Sequence, residues 1–129
     1  MSIKHVQRTV RPVGADGSAV ATMLVGINHA GFVRAIGIDY QNQPVTTDIL
    51  IKADNTSGAT LFTRTSSNTD LALTPVAMPG ADEAGAATAA TDVGSGGMPF
   101  GTGLFFDLAQ GDGQTSGNEK VVVDVWVEL

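Results

Sequence analysis

The chain has 129 residues, 7 Lys and Arg against 13 Asp and Glu for a formal net charge of -6, and no cysteine. That length supports one domain with a single core, and the lack of Cys excludes disulfide frameworks, thiolate zinc sites and cysteine nucleophiles. The scattered cations argue against nucleic-acid binding, which needs clustered Lys and Arg; the opening Met1–His5 lacks a signal-peptide layout, and no apolar run reaches the roughly eighteen residues of a membrane-spanning helix.

Period-two alternation dominates the chain, the pattern of strands that turn one face to a core. Residues 2–11 and 18–27 are β-prone but irregular, and residues 1–12 are expected to form an N-terminal arm or edge strand. Phe32, Ile36, Ile38 and Tyr40 fall at even spacing, interrupted by Arg34. Val45, Thr47, Ile49 and Ile51 form a second alternating run, and Leu61 opposes Thr60 and Phe62 in a shorter one. Residues 68–99 read as a long insertion. Within it, 80–97 are almost wholly small residues, and Ala84 to Ala90 have room for a helical turn or two. Leu104, Phe106 and Leu108 mark the strand before the last. In the closing run Val121, Val123, Val125, Val127 and Leu129 share one face, while Lys120, Val122, Asp124, Trp126 and Glu128 share the other.

Turn-forming residues at 13–17, 28–31, 41–44, 55–58 and 111–113 separate these runs. The expectation is an all-β single domain over residues 1–129: an antiparallel β-sandwich of jelly-roll type, with a long Gly/Ala-rich loop and no amphipathic helix. Ile36, Ile38, Ile49, Ile51, Leu104, Phe106, Val121, Val123 and Val125 are its expected core.

Motifs for chemistry are sparse. His5 and His29 are the only ready general bases, and no G-x-S-x-G elbow accompanies them. Asp39 and Asp48 flank a turn, where carboxylates usually cap strand ends rather than cleave glycosides. No H-E-x-x-H or D-x-D-x-D-G run occurs; Asp107, Asp112 and Asp124, near an expected last hairpin, read as solvated edge carboxylates. Gly94-Ser-Gly-Gly97 lacks the Lys-Ser/Thr ending of a phosphate loop, and Gly101-Thr-Gly103 precedes a strand rather than a helix. The reading is therefore no enzyme, no cofactor and no metal. Trp126, the lone Trp, fits either an exposed partner or sugar contact or a second, smaller buried layer.

Three segments carry a resemblance: Arg34-Ala-Ile-Gly-Ile-Asp-Tyr40 followed by Pro44-Val-Thr-Thr-Asp-Ile-Leu-Ile51, then Gly58-Ala-Thr-Leu-Phe62, then the closing Val121-Val-Val-Asp-Val-Trp-Val127. Over residues 31–66 and 100–129 the chain resembles small β-sandwich virion proteins of tailed bacteriophages. The resemblance implies a decoration or cement protein on the outer capsid surface, commonly in threes, with the major capsid protein and its own copies (a homotrimer) as partners and neither nucleic acid nor membrane. The competing reading is a phage tail, fibre or carbohydrate-binding adhesion module. Candidate interface residues are Lys4, His5, Arg8 and Arg11 in the N-terminal segment, Gly85, Gly94 and Gly96 in the small-residue loop, and Trp126.

Overall fold

A computed structural model describes residues 2–75 and 98–129. Among them are nine strands and no helix: β1 Ile3–Val10, β2 Ala19–Gly26, β3 Gly31–Gln41, β4 Asp48–Ala53, β5 Thr60–Arg64, β6 Leu71–Pro75, β7 Met98–Phe100, β8 Gly103–Gly111 and β9 Lys120–Glu128. They form two antiparallel sheets, one ordered β1-β9-β3-β6 with β7 also on β3, the other β2-β8-β4-β5. The chain crosses repeatedly from one sheet to the other, which is the strand order of a jelly roll. β1 and β2 are edge strands of their sheets, and the connection between them is pinned to β2 by a Val13–Val20 bridge.

The core lies between the sheets and follows the alternation. Val121, Val123, Val125 and Val127 of β9 face Leu104, Phe106 and Leu108 of β8, with Ile36 and Ile38 of β3 and Ile49 and Ile51 of β4 beside them; all are buried. Every residue of the expected core is there. The period-two rule holds because each of these strands has one face that must leave water.

Four expectations need correction. The even spacing that groups Phe32 with Ile36 does not carry to its face, since Phe32 is 41% exposed. A register shift against β9 between Val33 and Ala35 reverses the parity, so Val33 goes inward in its place. Val45 and Thr47 precede β4 instead of belonging to it: Thr47 donates its amide (3.2 Å) and its hydroxyl (2.8 Å) to the Pro44 carbonyl, closing a turn that buries Thr47 and leaves Val45 exposed. The insertion at 68–99 is shorter than read, because β6 and β7 lie end to end along the free side of β3. Finally, β8 and β9 are not a hairpin. They lie in different sheets, so Asp107 and Asp124 do not meet. The Ala84 to Ala90 stretch lies outside the described residues.

Candidate interface surfaces

Alternation along β9 sends Trp126 to the outer face of the first sheet, and register sets His5 of β1 opposite it on one side and Ala35 of β3 on the other. The His5 and Trp126 rings stack with centroids 4.6 Å apart and planes 12° from parallel. Asp124 Oδ1 lies 2.7 Å from His5 Nε2 and accepts a hydrogen bond from Gln7 Nε2 at 2.9 Å. Gly37, opposite Asp124, contributes no side chain, and a Cβ there would sit 3.7 Å from the Trp126 ring. Trp126 is thus an outer-face residue, half-buried by its own sheet, rather than part of a second core layer. The ring face under His5 is closed to a sugar unless His5 moves away. Further along this sheet Arg34 pairs with Glu128 and lies over the Phe32 ring, 5.7 Å from its centroid.

Lys4 and Arg8 have the other parity. In register with Val127 and Val123, they share the inward-turned side of β1 with the buried Val6 and Val10, yet both are exposed because β1 is an edge. Inward-turned charges are a known guard against edge-to-edge pairing. Arg8 donates to the carbonyl of Gln7 at 2.8 Å and Arg11 to that of Gly117 at 3.3 Å. Neither they nor Lys4 form an ion pair among the described residues. The structure therefore unites His5 with Trp126 and sets Lys4 and Arg8 on the opposite face of the same strand. Gly85, Gly94 and Gly96 lie outside the described residues.

A third surface escaped the sequence reading. On the outer face of the second sheet, β2 presents Val20, Thr22 and Leu24, β8 presents Phe105, Asp107 and Ala109, and β4 presents Asp48, Leu50 and Lys52. Val20 and Leu24 are 55% and 66% exposed. A shallow hollow of about 260 Å³ opens there between Leu50, Thr63, Asp107 and Ala109. The clue was present in Phe105-x-Asp107-x-Ala109, interleaved with the inward Leu104, Phe106 and Leu108.

The remaining sequence candidates serve the fold. The Gly101, Thr102 and Gly103 amides do cradle an anion, but it is the carboxylate of Asp54. Asp39 accepts from Gln41, whereas Asp48 accepts from Ser66 and Gln110, so the two are engaged separately. His29 contacts the carbonyl of its neighbour Ala30. Asp112 accepts the Gly17 amide at 3.0 Å. Among the described residues no three His, Asp or Glu side chains converge as a metal-binding group. No protein-family model, curated protein or solved structure matches the chain.

Proposed function

We propose that the protein is a structural virion component that decorates and stabilises a bacteriophage capsid by binding between major capsid protein subunits on the outside of the shell. The observation that carries this reading is where the resembling segments fall. Residues 31–66 contain β3, β4 and β5, and residues 100–129 contain β8 and β9, so the resemblance covers the inner strands of both sheets. A jelly roll hosts many functions, so the fold alone would not suffice.

Physical chemistry supports the same role. A shell pressed outward by packed DNA is reinforced by clamping adjacent subunits, which demands contact area and no reaction. The chain offers a sheet face with exposed Val20 and Leu24, and Lys4 and Arg8 on β1 without internal ion pairs. The competing adhesion-module reading would use aromatic platforms, and the principal candidate, Trp126, is stacked under His5.

The test is localisation. Particles purified under gentle conditions are separated into capsids and tails, and each fraction is probed for the protein. Sedimentation with capsids, together with greater heat resistance of capsids to which the recombinant chain is added, is the expected result. Recovery on tails, or retention on immobilised glycan with no capsid binding, would replace this function with the adhesion module.

A further inference from the structure

Outward positions of an antiparallel sheet that faces water are ordinarily polar. The second sheet departs from this rule in part: Val20 and Leu24 are exposed and Leu50 and Phe105 half-buried, interspersed with Thr22, Asp48, Lys52 and the carboxylate of Asp107. Exposed apolar side chains rimmed by polar ones mark a contact site. Asp107 is also distinctive among the acidic side chains. Every other Asp and Glu carboxylate in the described residues accepts a hydrogen bond from its own chain, whereas Asp107 accepts none. The β1 flank shows the converse. Lys4 has no hydrogen-bond or ion-pair partner in the described residues, and Arg8 reaches only the carbonyl beside it.

We infer that the apolar outer face of the second sheet is covered by the β1 flank of a second copy of this chain, with Asp107 receiving Lys4 or Arg8. This deepens the self-association within the capsid proposal and rests on it only in requiring several copies. Charge selects the occupant. Each copy carries a net charge of -6, so copies repel unless unlike charges meet at the contact, where screening over about 8 Å leaves them effective. Lys52 stands on the same face as Asp107, but its ammonium already donates to the Thr56 carbonyl at 2.8 Å. Lys4 and Arg8 stand exposed together on one flank of an edge strand, whereas Lys120 lies half-buried in the inner strand β9.

Such a contact is heterologous, because flank meets face. β1 and β2 are the edge strands of their sheets, and the short connection between them is pinned to β2 by the Val13–Val20 bridge, so flank and face adjoin around β2 rather than lying on opposite sides of the molecule. Head-to-tail repetition of adjoining surfaces turns each copy sharply relative to the last, the arrangement that closes a ring where the rotation per copy divides a full turn, whereas opposed surfaces favour a filament.

The test is sedimentation velocity of the full chain across the micromolar range, with near-ultraviolet circular dichroism as a folding control. One closed species of fixed mass is expected. Lys4→Glu with Arg8→Glu, and separately Asp107→Lys, should each weaken assembly by at least about tenfold, as charge reversal at a desolvated contact does; the three substitutions together should restore it. A wild-type monomer throughout, or an oligomer indifferent to these reversals, overturns the inference. So does an oligomer broken by Lys52→Glu alone, which would mean that the face packs on itself. Capsid sedimentation is scored independently: a ring that ignores capsids defeats only the capsid proposal, and a capsid-bound monomer defeats only the ring.

Discussion

Asp54 and Thr102 are 48 positions apart, yet the Asp54 carboxylate accepts the Thr102 amide at 2.6 Å. The same Oδ1 accepts the amides of Gly101 at 3.0 Å and Gly103 at 3.1 Å, and Asp54 itself takes a left-handed φ of 65° to reach them. One side chain thereby fastens the turn after β4 to the turn between β7 and β8. It uses the arrangement of successive backbone N–H groups that elsewhere holds phosphate.

These amides stabilise the ionised carboxylate and hold its pKa below the usual range, the Thr102 amide contributing most. A depressed folded value means stability that is present above the unfolded value, near 3.9, and is lost as pH falls through the folded one. Asp54→Asn tests this cleanly, because Asn also tolerates a left-handed φ. Urea midpoints should be lower for the variant at neutral pH and should change less with acid below about pH 4. Parallel curves for the two proteins would show that the carboxylate adds nothing.

Phe106 is 2% exposed and sits in register between Met23 of β2 and Ile51 of β4. Phe106→Ala should cost about 3–5 kcal/mol in chemical denaturation, from lost transfer energy plus the cavity left behind. Phe105→Ala, one residue away on the outer face, should cost clearly less. Equal losses would mean that the two faces of β8 have been misassigned.

That alternation on β8 and β9 was legible in the sequence, because burial of one strand face forces a period of two and no other feature of the chain imitates it. Pairing was not legible. Alternation says which way a side chain points and nothing about which strand lies alongside, so β8 and β9 read as a hairpin although they belong to opposite sheets. Local irregularities were hidden for a related reason. A single register shift near Arg34 exchanges the faces of Phe32 and Val33, and no residue type announces it. Of the interface candidates, His5 and Trp126 were named separately; only the β1–β9 register brings them into contact. Asp107 was dismissed as a solvated carboxylate, since its apolar surroundings come from β2 and β4, far away in sequence.

The His5–Trp126 stack gives a third prediction. Offset aromatic pairs contribute about 0.5–1.5 kcal/mol beyond the area they bury. His5→Ala should therefore lower stability by about 1 kcal/mol and shift the emission of Trp126, the sole Trp, to the red as water reaches the uncovered ring. His5→Phe keeps the stack and should preserve the blue-shifted emission. An unchanged spectrum in His5→Ala would show that the ring is shielded by something other than His5.

Tyr40 gives the last. Its ring is buried at the end of β3, and its Oη has no hydrogen-bond partner among the described residues. The Arg64 guanidinium lies 5.9 Å from the ring centroid. Burial pushes the phenol pKa up; Arg64 opposes the shift, while Asp70 and Asp48 add to it. For a raised pKa the sign runs the other way from Asp54. The neutral phenol's contribution is fully present below the unfolded value near 10 and is lost as pH climbs through the higher folded value. Tyr40→Phe removes an unsatisfied hydroxyl, so at neutral pH it should leave stability unchanged or raise it by up to about 1 kcal/mol. It should also remove part of the alkaline loss of stability above about pH 10. The chain has one tyrosine, so tyrosinate absorbance of the native wild type follows this group alone. A native titration midpoint at or below that of the unfolded chain would contradict the burial that sets the shift, and a large loss of stability in Tyr40→Phe would mean that the hydroxyl is bonded after all.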